Sequence, residues 1–253
     1  MYKLQPKTLF IGKNTVYLPT CHSTNDWAAQ IIQKEEPLEG TIVITDNQTR
    51  GKGQRGNEWR VEAKKNLTFT LILKPTFLPI TQQFNLNLAI SLAVIETLSP
   101  YLGEELKIKW PNDILYKDKK LGGILVESLI SGKTMNYSLL GIGLNINQQQ
   151  FEFPMATSLS TESKGDLFNL SALLEHFCGF MENNYLRLKN GQERELKKEY
   201  LRVLFGKGMW REFKKGGKIF KGKIMDVSPK GLLMMETELG LKQFDTKEFE
   251  YKY

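Results

Sequence analysis

Residues 109–127 read Lys109-Trp110-Pro111-Asn112-Asp113-Ile114-Leu115-Tyr116-Lys117-Asp118-Lys119-Lys120-Leu121-Gly122-Gly123-Ile124-Leu125-Val126-Glu127, and the fold turns on how this stretch is read. Pro111 fixes its own φ and denies Trp110 the helical region. Leu106 to Trp110 therefore reads as a short strand, with Asn112 and Asp113 in the turn at its end. Such residues serve either as turn formers or as polar groups offered to a ligand. Lys117 to Lys120 reads as a hairpin tip with a solvated run of charge, and Gly123 to Leu129 as the next strand.

Working outward, the apolar pattern alternates between the periods of strand and helix. Thr41-Ile42-Val43-Ile44-Thr45, after Gly40, reads as a buried strand. Leu67 to Lys74 and Tyr137 to Leu144 read as two more. Ser23 or Thr24 suits the N-cap of a helix over about 24–35. Phe84 to Leu98 carries Leu86, Leu88, Ile90, Leu92, Ala93 and Ile95 at helical spacing, and Pro100 closes it. Leu167 to Leu188 predicts a long amphipathic helix with Leu173, Leu174, Phe177, Phe180 and Met181 inward. Gly191 breaks it before a further helix over 193–204. After Gly206, glycines at 208, 216, 217, 222, 231 and 240 punctuate short apolar runs, the pattern of a small β-barrel. The expected class is α+β: a mixed or antiparallel sheet with helices packed on it over 1–204, then a small β-barrel over 205–253.

Length and composition agree. A chain of 253 residues holds a large domain plus a small one, and 41% hydrophobic with 25% charged residues is ordinary for a globular protein. Two cysteines, Cys21 and Cys178, give no disulfide framework and imply a reducing compartment. The first residues lack the apolar core and cleavage site of a signal peptide. No apolar run approaches 18 residues, so no membrane span and a cytoplasmic location are expected. The net charge of +7 suits nucleic acid, an acidic protein or a phosphorylated ligand, and equally a solvated basic surface. Cys21 beside His22 reads as a small core residue rather than a nucleophile, Cys178 and His176 as helix packing, and no Cys/His spacing suggests zinc.

Two glycine motifs remain. A polar stretch from Asp46 to about Lys65, of the length typical of lids and binding loops, contains Gly51-Lys52-Gly53-Gln54-Arg55-Gly56. It matches G-x-G-x-x-G only formally, because no strand leads directly into it and no helix follows. Its glycines let backbone approach a ligand, successive N–H groups attract anions, and Arg50, Lys52 and Arg55 add charge. Such a segment is either a cover for a phosphate-bearing ligand or a mobile basic loop. Gly141-Ile142-Gly143-Leu144-Asn145 places glycines in a strand interior, for close approach or for a bulge.

Taken in order, Ser23-Thr24-Asn25, the loop from Gln48 to Gly56 with Trp59, the Lys-Trp-Pro-Asn-Asp block, Lys120 to Glu127 and Gly141 to Asn145 resemble the catalytic core of biotin–protein ligases. The likeness runs from about Thr15 to Asn147, and the tail resembles that family's SH3-like barrel more loosely. The resemblance implies an ATP-dependent ligase that forms biotinyl-AMP and passes biotin to a lysine on the carrier domain of a carboxylase such as acetyl-CoA carboxylase. Lipoate ligases and octanoyltransferases share the core but lack the Lys-Trp-Pro-Asn-Asp block, and they are the alternative. The resemblance also implies roles. Lys120 bridges the biotin carboxylate and the α-phosphate, and Asp113 with Asn112 holds Mg²⁺ and phosphates, assisted by Asn145. Ser23, Thr24, Asn25 and Gln48 bind the ureido ring. Gly123, Gly141 and Gly143 leave bare backbone for biotin. Gly51, Lys52, Gly53, Gln54 and Arg55 belong to a loop that closes over the adenylate. Trp59 packs near adenine or is a core residue. Lys52, Gln54 and Asn57 stand where the family usually has arginine, and Lys52 lacks arginine's planar fork. The motifs start too early for a preceding DNA-binding domain, so no DNA partner is expected, and the chain is a monomer or homodimer. A purely RNA- or DNA-binding role would call for aromatic residues among the basic ones, and the basic loop offers one tryptophan.

Overall fold

Leu67–Leu73 is buried at all seven positions, so its sheet must be covered on both faces. The computed structural model describes residues 4–132, 134–246 and 248–252, the side chains of Arg55 and Ser131 excepted. In chain order the elements are β1 (Thr15–Cys21), α1 (Thr24–Lys34), β2 (Ile42–Gln48), β3 (Gly51–Lys52), β4 (Glu58–Trp59), β5 (Leu67–Leu73), α2 (Phe84–Leu102), β6 (Leu106–Lys109), β7 (Asp113–Tyr116), β8 (Lys119–Ser131), β9 (Thr134–Leu144), α3 (Leu159–Glu162), α4 (Leu170–Lys189) and α5 (Glu193–Arg202). The C-terminal strands are β10 (Trp210–Lys215), β11 (Lys218–Val227), β12 (Leu233–Thr237), β13 (Gly240–Phe244) and β14 (Glu250–Tyr251).

A seven-stranded mixed sheet runs β1-β2-β5-β9-β8-β7-β6. Only β1 and β2 are parallel; the other neighbours are antiparallel. Alternate residues point to opposite faces. Ile42, Ile44, Leu71, Leu73 and Leu140 join the main core with α2 and α4, whereas Val43, Ile72 and Leu139 pack with Ala28 of α1 in a second cluster. Helix α1 thus covers one face and the longer helices the other.

The structure corrects several expectations. β1 carries Pro19, which hides it from a propensity reading; at a sheet edge the missing N–H is tolerated. Pro100 does not close α2, which runs to Leu102 and ends at Gly103. The Glu96 carbonyl, left open by the proline nitrogen, accepts from Ser99 Oγ at 3.5 Å. The polar stretch 46–65 is not wholly irregular, since β3 and β4 pair within it. The β7–β8 turn is Lys117-Asp118 alone, so Lys119 and Lys120 lie in β8. α4 starts at Leu170, where Asn169 caps it through Ala172 N. Phe180, expected inward, is 37% exposed, because at 3.6 residues per turn it falls past the edge of the buried stripe. The 26-residue stretch Ile80–Glu105 contains an 18-residue window of mean hydropathy 1.3, long and apolar enough to cross a membrane by composition. Here that composition reflects α2 packing against α4, α5 and the sheet, as expected for a helix buried on nearly all sides.

The C-terminal strands form a five-stranded sheet, β13-β12-β11-β10-β14. Among the described residues no pairing joins its two edges, so the expected barrel is present as an open sheet around Phe213, Phe220, Phe244 and Phe249. Trp110 ties this sheet to the first: its Nε1 donates to Gly231 O at 3.0 Å, and its ring lies parallel to Phe249.

The segment before β1 is held by two carboxylates of α4: Glu175 accepts from Gln5 N at 2.7 Å, and Glu182 takes a larger share. Glu182 of α4, 7% exposed, accepts from the backbone N–H groups of Leu9, Phe10 and Ile11 at 2.6, 2.8 and 3.0 Å. Glu182→Gln cannot satisfy all three donors and should lower stability by about 1–3 kcal/mol. Urea unfolding measures this; an unchanged midpoint would show that the clasp contributes nothing.

Candidate functional site

The site is where α1 stops covering its face of the sheet. On β5, Thr68, Thr70 and Ile72 share one face by the period of two. Register sets Thr68 against Gly143 and Thr70 against Gly141, and β8 then sets Gly123 against Gly143 and Leu125 against Gly141. Three of these six positions lack a side chain, so the floor is low and broad. An open cleft lies over it. Its lining includes Ser23, Thr24, Asn25 and Gln48 at the α1 end, Trp59, Asn112 and Lys120 at the other, and also Lys52 and Thr68.

The N-terminal turn of α1 frames the first end. Ser23 caps the helix. Gln48, at the end of β2, accepts from Thr24 N at 2.9 Å through Oε1. Asn25 slots over Gly141, where a Cβ would overlap its amide. Its Nδ2 donates to Glu127 Oε2 at 2.7 Å, and its Oδ1 accepts from Thr70 Oγ1 at 2.5 Å.

The β3–β4 hairpin forms a flap. It lays the Trp59 indole on Gly143, where a Cβ would collide with the ring, and Trp59 Nε1 is buried without a partner. Lys120 Nζ lies 5.8 Å from the Trp59 ring centre and 2.6 Å from Asp113 Oδ1. Lys109 Nζ approaches the other oxygen of Asp113 at 3.9 Å. Lys52 of the flap pairs with Asp26 of α1 at 2.5 Å, and this hydrogen bond raises the pKa of the lysine. Both lysines of the described cleft lining, Lys52 and Lys120, are thus paired with a carboxylate. Asn112 Nδ2 donates to Ile124 O at 2.7 Å, which leaves its amide oxygen unengaged by that bond.

Of the residues singled out from sequence, Ser23, Thr24, Asn25, Gln48, Lys52, Gly53, Trp59, Asn112, Lys120, Gly123, Gly141 and Gly143 line the cleft. Asp113 stands behind Lys120. Gly51 is part of the flap, in β3, packed against the Gln48 amide and the Trp59 carbonyl. Gln54 is outside the lining. The Arg55 side chain lies outside the described residues. Asn145 is buried away from the cleft, with Nδ2 donating to Thr157 O at 3.0 Å. The sequence reading passed over Thr68, Ile124, Leu125 and Ile142 in the lining, and Thr70 beside it. The signal for the threonines was present: two hydroxyls at i and i+2 in a strand otherwise apolar.

The thiols take no part. Burial raises the pKa of Cys21 and pushes Cys178 up to about 12, so neither supplies a thiolate near neutral pH. Among the described residues no group of three or more His, Cys, Asp or Glu could by itself hold a metal ion.

Residues 17–145 match the biotin/lipoate A/B protein ligase family. The chain is 29% identical over 249 residues to the bifunctional ligase/repressor BirA of Bacillus spizizenii, covering 96% of this chain and 76% of that one. It is 33% identical over 126 residues to a biotin–[acetyl-CoA-carboxylase] ligase of Mycobacterium tuberculosis, 48% of this chain and 46% of the other. Among solved structures it resembles the biotin protein ligase of Aquifex aeolicus in complex with biotin and ATP, with a TM-score of 0.78 and 26% identity over 95% of this chain and 99% of that one.

Gly143→Ala should lift the Trp59 ring off the floor. Its fluorescence contribution, isolated by subtracting a Trp59→Phe reference, should shift to the red. An unchanged spectrum would mean that the ring does not rest there in solution.

Proposed function

This chain belongs to the biotin/lipoate A/B protein ligase family, and from that membership we propose how its cleft works. The protein is a biotin–protein ligase: it joins biotin to AMP using ATP, then transfers biotin to a lysine of a carrier domain. The polar end of the cleft carries this choice over lipoate or octanoate. Ser23, Thr24, Asn25, Gln48 and Thr68 offer hydroxyls and amides that a ureido ring can satisfy and a dithiolane or alkyl chain would leave unpaired. Sites built to hydrogen-bond a group strongly reject analogues without it.

In the first step a biotin carboxylate oxygen attacks the α-phosphorus of ATP and pyrophosphate leaves, forming a mixed anhydride. Two anions must meet, so neutralisation is the main requirement. Lys120 lies in the cleft beside Asp113 and Trp59, and we assign it the bridge between carboxylate and α-phosphate. At about 4 Å and an effective dielectric near 20, one ammonium supplies roughly 4 kcal/mol of attraction per opposing charge. Asp113 orients Lys120 through the 2.6 Å pair. With Asn112 it offers hard oxygen donors to the Mg²⁺ that accompanies ATP; one or two protein oxygens plus phosphates and water suffice for that ion. Lys52 and the bare backbone of residues 51–56 cover the phosphates. Trp59, beside Lys120, offers its face to the adenine. In the second step the acceptor lysine attacks the biotinyl carbonyl and AMP leaves. A closed flap limits loss of the anhydride to water.

The acceptor we assign is the biotin carrier domain of a carboxylase such as acetyl-CoA carboxylase. We divide the chain into a catalytic domain over 1–204 and a C-terminal domain over 205–253. The tail sheet, wrapped on stacked phenylalanines, is read as an SH3-like barrel. Two free thiols suit a reducing, cytoplasmic setting.

Incubation with biotin, Mg-ATP and a carrier domain, followed by mass measurement, tests the reaction. One biotinyl group should appear on the carrier. Lys120→Ala should cut biotin-dependent ATP–pyrophosphate exchange by about a thousandfold, the rate equivalent of roughly 4 kcal/mol. Near-normal exchange would remove Lys120 from the mechanism. Exchange supported by lipoate instead of biotin would overturn the substrate.

A further inference from the structure

The strand Leu67–Leu73 is wholly buried and mostly aliphatic or aromatic, so a hydroxyl at 70 needs a reason. A buried hydroxyl is costly unless bonded, and valine would fill the same volume at no such cost. Thr70 has 0% exposure, and its Oγ1 lies 2.5 Å from Asn25 Oδ1 and 2.8 Å from Thr24 Oγ1. These are two of the side chains assigned above to the ligand ring. The geometry points to Thr70 as a positioning residue that sets which atoms the cleft presents to that ring; the inference rests on the assignment of the cleft to biotin.

An amide side chain can be turned end for end, which exchanges donor and acceptor. Asn25 is held against that turn from both sides. Glu127 can only accept, so it fixes Nδ2; the Thr70 hydroxyl donates to Oδ1. Gly141 makes this placement possible, because the Asn25 amide fills the space a Cβ there would take. Gln48 is oriented through its oxygen, since Oε1 accepts from Thr24 N, while Nε2 packs beside Gly51. Both amides therefore have their oxygens engaged within the protein and keep N–H donors to offer. The complementary ligand group is a carbonyl oxygen, as in a cyclic urea. Thr70 is the member that couples the helix turn to the strand, and it touches the ligand only through Thr24 and Asn25.

The test uses the full chain and biotin-dependent ATP–pyrophosphate exchange. Thr70→Val keeps shape and removes the donor. KM for biotin should rise about tenfold, the equivalent of one net hydrogen bond. KM for ATP, and kcat at saturating biotin, should stay within about twofold. Thr70→Ser should restore most of the loss. A merely structural role would move the thermal midpoint and kcat without this split, and would overturn the proposal, as would a normal biotin KM in Thr70→Val. Glu127→Gln, at an exposed position where folding is not at risk, should raise biotin KM in the same direction by freeing the Asn25 amide; no change would overturn the orientation argument. Absence of biotin-dependent exchange in the unsubstituted protein would overturn the substrate reading itself, a failure distinct from normal kinetics in the variants.

Discussion

A sheet buried on both faces can meet a ligand only where its cover runs out, and that constraint organises this molecule. The long helices cover one face entirely. On the other, α1 is eleven residues long and lies over Val43, Ile72 and Leu139. One pair of rows further along, the floor turns to Thr68, Thr70, Gly123, Gly141 and Gly143. The helix N-terminus therefore ends at the cleft and presents its capping turn, while the strands present bare backbone. The same alternation of side chains that builds the core leaves the vacancy beside it.

The cleft also depends on contacts from outside the catalytic sheet. The turn carrying Asn112 and Asp113 joins β6 to β7 and begins with Trp110, whose indole is bonded to Gly231 and parallel to Phe249. The open edge of β6 is closed by the segment entering the C-terminal sheet, through Ile108 N to Val203 O and Phe205 N to Ile108 O, at 2.9 and 2.8 Å. Gly231 has φ +88 and packs on Phe84 of α2, where a Cβ would stand 2.7 Å from the ring. The C-terminal sheet is thus part of what holds the polar turn in place, whatever else it binds.

Much of this was legible in the chain. The strands at 42–48, 67–73 and 134–144 and the helices α1, α2, α4 and α5 follow from period and caps, and twelve lining residues follow from motifs. What stayed hidden has physical causes. Pro19 masks an edge strand, where its missing N–H does no harm. Pro100 reads as a stop, yet a proline in the last turn disturbs only one carbonyl. The flap hairpin is two residues a side, too short for any periodicity. The partner of each lysine could not be read, because pairing of Lys120 with Asp113 and Lys52 with Asp26 depends on register and on the flap's position. Thr70 was passed over because a β-branched residue in a strand looks ordinary until its neighbours across the sheet are known.

On the proposed reading, Lys52 and Lys120 pass from protein carboxylates to the substrates, and the pairs seen here bear on how readily they do so. Both cations are partly exposed, Lys52 at 50% and Lys120 at 42% of the side chain, so each pair is screened and contributes at most about 1 kcal/mol. A carboxylate and a triphosphate entering together would bring several negative charges to these lysines. Attraction there runs at roughly 4 kcal/mol per charge pair at contact. On the proposed reading, exchanging Asp26 for substrate oxygens at Lys52 favours a multiply charged ligand over a single carboxylate, while Asp113 stays beside Lys120. Biotin alone would leave the flap lysine largely with Asp26, and the nucleotide would draw it across. The carboxylates keep the lysines charged and aimed, yet hold them weakly enough to release them to the second substrate.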